Sequence, residues 1–247
     1  MNGGRALVFP KRVALILVLV VLCLTSLSIV SSFVIDSRCH RQLIKLRGPV
    51  VGLFLLGKEV NIPTFYSFSA LLLCSALLAI IAFAKKKENA PYSLHWKALS
   101  IIFLYLSMDE ASQLHEMTIK PLRSALNASG FLHYTWVILG IVFSLIVVLA
   151  YLRFLADLPK KTRDLFLAAG ALFIGGALGM EMISGYYWSP HFGQFLQRSS
   201  HFCNYMLNTA MRGTLEELLE MLGIVVFIYA LMSYISLHVK DWLTLIK

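Results

Sequence analysis

Three carboxylates and one histidine stand close together in Ser107-Met108-Asp109-Glu110-Ala111-Ser112-Gln113-Leu114-His115-Glu116, at the end of an apolar run that begins near Leu99. Charges at membrane depth are costly, roughly 2.5 to 3.5 kcal/mol each on insertion scales. A segment that keeps them is therefore a candidate site. On a continuous helix Asp109, Ser112, Gln113 and Glu116 share one face, because seven residues make nearly two turns. His115 then points about a third of a turn away. Carboxylates with a histidine suit a hard or borderline divalent cation, which offsets acid repulsion and activates water. Without a metal, clustered acids must share protons.

The elements that position these residues read as membrane spans. The chain is 58% hydrophobic and 14% charged, against about 25% charged residues in soluble domains. Six runs are long enough, or nearly so, to cross the hydrocarbon: 13–34, 63–84, 99–117, 134–155, 165–188 and 218–237. The expected fold is one all-α domain of about six transmembrane helices in a lipid bilayer. The first run is too long for a signal-peptide core and is expected to be retained. The net charge of +9 is explained by basic loops rather than by a nucleic-acid site, for which no motif is present. With a cytoplasmic N-terminus, the inner side holds thirteen of the 22 Lys and Arg residues. This places both termini in the cytoplasm, the membrane being a bacterial inner membrane. The basic 35–61 loop fits that orientation worst.

Topology alone then gathers the acids. Span two begins beside Glu59, Asn61, Thr64 and Ser67. Span three ends at Asp109–Glu116, span five ends beside Glu181, Ser184, Tyr186 and Tyr187, and span six begins at Glu216, Glu217 and Glu220. All lie at one membrane surface, whichever way the protein is inserted. Glu181 follows Gly175-Gly176-Ala177-Leu178-Gly179-Met180, whose small residues favour close helix contact. Thr214-Leu215-Glu216-Glu217 has the shape of a capping box, which explains Glu216 and Glu217 without chemistry. Glu220, one turn deeper, is not needed for a cap. Segments 189–214 and 48–57 are apolar enough to lie in or dip into the interface. Cys23 and Cys74 read as small core residues. Cys39 and Cys203 share the outer side and are a candidate disulfide.

The catalytic candidates are Asp109, His115, Glu116 and Glu220, and the metal ligands are those four with Glu181. Asn61, Ser67, Ser112, Gln113 and Glu217 are candidate substrate contacts. The leading expectation is a metal-dependent hydrolase of a lipid or lipid-linked substrate. The others are a proton- or cation-coupled transporter and a non-catalytic membrane subunit. No H-E-x-x-H, G-x-S-x-G, P-loop or Rossmann pattern occurs.

Two resemblances rest on these stretches. Asn61-Ile62-Pro63-Thr64-Phe65-Tyr66-Ser67, Leu106-Ser107-Met108-Asp109-Glu110-Ala111 with His115-Glu116, and Glu216-Glu217-Leu218-Leu219-Glu220-Met221-Leu222-Gly223 resemble an uncharacterised family of bacterial multi-span membrane proteins. Glu59, Asn61 and Ser67, with Ser107 and Asp109, are loosely similar to the alkaline ceramidase and adiponectin-receptor hydrolases. That second resemblance implies zinc held within the helices, although the late H-x-x-x-H pair of those hydrolases is absent here.

Overall fold

The computed structural model describes residues 3–36, 52–56, 60–188 and 202–239. Those residues form α1 (Gly3–Asp36), α2 (Ile62–Lys87), α3 (Ser93–Ser112), α4 (Ile119–Leu126), α5 (Trp136–Asp157), α6 (Lys160–Ile174), α7 (Glu181–Trp188) and α8 (Phe202–His238), with no strand among them. A π-helical segment, Gly175–Met180, joins α6 to α7. Five helices are long and apolar enough to cross a membrane: Phe9–Ser32, Ile62–Lys87, Trp136–Asp157, Lys160–Tyr187 and Ala210–His238. The all-α bundle is as expected.

The third expected span is set apart by composition, since Lys97, Asp109 and Glu110 interrupt α3. Its packing nevertheless sets it beside α2. Ser75 Oγ donates to Ser100 O at 2.8 Å, and Ser107 Oγ donates to Phe68 O at 2.9 Å. These two contacts align α3 antiparallel beside α2 for most of its length. Other contacts fix the remaining directions. Ser28 meets Thr214 at 3.1 Å, and Val21 packs with Met221, so α1 and α8 are antiparallel. Phe166 packs on Phe227, while Gly176 lies against Glu216 and Glu220, so α6 also runs against α8. Tyr151 of α5 donates to His95 O at 2.8 Å, which returns α5 to the start of α3.

The chain therefore passes up and down, and the start of α1 and the end of α8 lie at the same end. This basic end carries Lys85, Lys86, Lys87, Lys160, Lys161 and Arg163. The opposite, acidic end gathers Asp109, Glu116, Glu181 and Glu216. The core is densest toward the basic end. Trp96 is 2% exposed and packs edge-on against Phe154 and Phe166 and tilted against Tyr234. Rows of exposed Leu, Ile and Val on α1 and α5 face outward, as a lipid solvent requires.

One expectation about cysteine changes. Cys74 is buried as expected, but Cys23 is exposed on the outer face of α1. Cys39 and the side chain of Cys203 lie outside the described residues, as does segment 189–201. Of segment 48–57, residues 52–56 are described; Leu55 and Leu56 are buried, and Leu53 is exposed. Leu56 packs with Val21, Leu24 and Met221, so this part of the loop does fold inward.

Candidate functional site

The acidic end is built by four helix ends and one irregular segment. The irregular segment comes first, because it sets the position of Glu181. Glycine is a weak helix former, and three glycines in six residues let the helix widen into a π turn. Gly176 also permits a close approach. A Cβ there would stand 2.8 Å from both Glu216 O and Glu220 Cγ. Gly223 does the same one layer deeper, where a Cβ would meet Phe173 N at 2.8 Å. The α6–α7 chain thus lies against α8 with backbone near backbone, and Glu181 is delivered beside Glu216.

The side chains of Glu181 and Glu216 are hydrogen-bonded to each other, and Glu220 and Glu217 act electrostatically on the same carboxyl. Tyr134, just before α5, lies within electrostatic reach of Glu181, Glu216, Glu116 and Arg123. Arg123 of α4 donates from Nε to His133 O at 2.7 Å, and Thr135 donates to Ile119 O at 2.8 Å. These bonds hold the Tyr134 loop against α4. His133 is pushed below its ordinary pKa by partial burial and by the Arg123 charge.

A second pair closes the end of α3. Asp109 Oδ1 accepts the His115 backbone N–H at 2.9 Å, and Oδ2 lies 2.8 Å from His115 Nδ1. The His115 ring packs on Trp136 with centroids 4.6 Å apart. Glu110 interacts with both Asp109 and His115. A carboxylate on Nδ1 fixes the tautomer and orientation of an imidazole, as bases and metal ligands require.

The sequence-based candidates meet different fates. The expected stripe of Asp109, Ser112, Gln113 and Glu116 is not formed. The helix stops at Ser112, Gln113 is left-handed at φ 56°, and Glu116 starts a short 3-10 turn and is exposed. The chain folds back at Gln113, so His115 rather than Glu116 meets Asp109. Ser112 is exposed and bonds to Met108 O within its own helix. Asn61 is a helix cap: its Oδ1 accepts from Thr64 N at 3.0 Å, and its Nδ2 donates to Leu55 O at 2.6 Å. Ser67 is 3% exposed and its Oγ has no partner. The capping-box reading of Thr214–Glu217 is overturned, because α8 begins at Phe202 and Thr214 lies well inside it. Thr214 bonds to Ala210 O and Ser28 instead. Glu216 and Glu217 are then mid-helix acids, with no cap to explain them.

The sequence gives no role to Arg212, Tyr134, Trp136 or Glu110. Arg212 lies one turn before Glu216, with its Cζ 4.1 Å above the Tyr187 ring and its buried Nε unpartnered. The available signal was a basic residue on the same helical face as two acids, inside an apolar stretch. As for a metal, no group of three or more His, Cys, Asp or Glu side chains among the described residues is arranged to hold one.

No curated protein and no solved structure matches the chain. A family model described as a domain of unknown function, DUF8692, matches residues 11–235, a range that holds Asp109, His115, Glu181 and Glu216. The match covers most of the chain, and the chain belongs to the DUF8692 family.

Proposed function

We propose that this chain is a proton-coupled carrier of the membrane in which it resides, with Glu181 and Glu216 as the proton-exchanging pair. The observation that carries the reading is the hydrogen bond between these two carboxyls, made across the junction of the π segment and α8. Intramembrane acids that face other helices mark proton and ion pathways. Irregular helices beside such acids are the usual way a carrier binds at depth and shifts between states. Glu220, Glu217 and Tyr134 surround the pair and complete a polar floor. The inner-membrane location and cytoplasmic termini are part of this proposal.

The test is proton movement into proteoliposomes loaded with a pH-sensitive dye, challenged with a dialysed small-molecule extract. The wild type should move protons when extract is added, and Glu216→Gln and Glu181→Gln should not. Wild-type vesicles that hold a pH gradient like protein-free vesicles under every fraction would contradict the reading.

The hydrolase expectation retains one specific support, the Asp109–His115 pair, since a carboxylate-oriented imidazole is the arrangement of a general base. The loose likeness to the alkaline ceramidase and adiponectin-receptor hydrolases belongs with this second reading, as does the expected divalent metal. Elemental analysis of the purified protein beside Asp109→Ala separates it from the carrier.

A further inference from the structure

We propose that Arg212 is the docking point for an oxyanion, the carboxylate or phosphate of a solute or of a lipid headgroup, held beside the Glu181–Glu216 pair. The inference rests on the carrier reading and names the class of its ligand.

Arg212 lies in the spanning part of α8, where an unpaired charge is costly. Its natural partner is Glu216, one helical turn away. Yet Glu216 is bonded to Glu181, and no ion pair within 4.0 Å is formed by Arg212 among the described residues. Nε is buried and has no acceptor among the described residues. An N–H removed from water without an acceptor is unfavourable until something supplies one. The Tyr187 ring fixes the guanidinium plane from one face, which leaves recognition to its edge. That edge is a fork of N–H groups matched to carboxylate and phosphate oxygens.

The remaining buried side-chain atoms without a partner among the described residues are Tyr66 Oη, Ser67 Oγ and Trp136 Nε1, and each can donate a hydrogen. All three lie on the halves of α2 and α5 toward the acidic end. Acids nearby repel an anion, and a proton held by the Glu181–Glu216 pair reduces that repulsion. The anion and the proton therefore favour each other's presence.

The test uses the full chain in detergent micelles and follows thermal unfolding and tryptophan fluorescence. Inorganic phosphate and succinate are titrated in one arm, and short-chain phosphatidic acid in the other. Saturable binding in the first arm assigns a soluble ligand, and binding confined to the second assigns a headgroup. The binding oxyanion should lose about tenfold or more in affinity in Arg212→Gln, the usual scale for a charge-assisted contact. Arg212→Lys should lose less, and Lys161→Gln at the basic end should bind as wild type. If Arg212→Gln does not fold, the Arg212→Lys loss decides. No saturable binding of any of the three probes, or equal binding by the Arg212 variants, overturns the proposal. Such a failure with proton movement intact would leave the carrier reading standing.

Discussion

The two ends of the bundle treat polar groups in opposite ways. At the basic end, the polar side chains in and around the aromatic core have partners. Tyr151 donates to His95 O, Tyr92 bonds to Asp157, and Lys85 reaches both Glu88 at 2.8 Å and His238 O at 3.2 Å. His95 stacks on Phe154 with centroids 5.7 Å apart. At the acidic end, Arg212 Nε, Trp136 Nε1, Ser67 Oγ and Tyr66 Oη are buried without partners, and two carboxyls turn to each other. Satisfied polar groups hold a structure together. Unsatisfied ones raise its free energy and persist where something else uses them. The basic end therefore reads as the foundation and the acidic end as the working part.

This contrast can be broken by substitution. The largest loss is expected for Trp96→Ala, which empties the centre of the foundation. Its cost is about 4 kcal/mol on the scale of large core truncations, read as a lower midpoint in thermal unfolding. Gly176→Val comes next, at about 3 kcal/mol for overpacking against Glu216 and Glu220. It should also abolish proton movement, whereas Trp96→Ala protein that folds should keep it. A matched pair of hydroxyl deletions sharpens the comparison. Tyr151→Phe at the basic end removes a made bond and should cost about 1 kcal/mol. Ser67→Ala at the acidic end removes an orphaned hydroxyl and should be neutral or stabilising. Equal losses at both sites would erase the distinction between the ends.

The smallest expected effect is a pH dependence from His133. Its folded pKa lies below the ordinary 6.5 because burial and Arg123 disfavour the charged form. The unfolded chain thus binds more protons as the pH falls below about 6.5, so stability declines on that side and is flat above it. His133→Gln should flatten the decline, measured by thermal unfolding between pH 5 and 7.5.

The membrane bundle was legible because apolar runs of bilayer length have few other uses. The gathering of acids at one end was legible too, because alternating spans fix which ends lie together. What failed was local. Gln113 adopts a left-handed conformation that ends α3 early, and nothing in an Asp-Glu-Ala-Ser-Gln stretch demands that turn. A helical face was drawn through it, and Glu116 was given the place that His115 takes. Thr214 was read as a cap because its spacing to Glu217 is right, but the pattern carries no information on whether the helix has already begun. Arg212 is not among the candidates that the sequence offers. Its isolation depends on Glu216 choosing Glu181, a tertiary contact made by the π segment and invisible in any window of the sequence.

The most direct test of the central claim is infrared spectroscopy of the reconstituted protein at neutral pH, in the region of the protonated carboxyl C=O stretch. The account predicts a band that shifts on exchange into heavy water and is lost in both Glu181→Gln and Glu216→Gln. A band unchanged by both substitutions, or no band in folded wild-type protein, would contradict a shared proton at this pair.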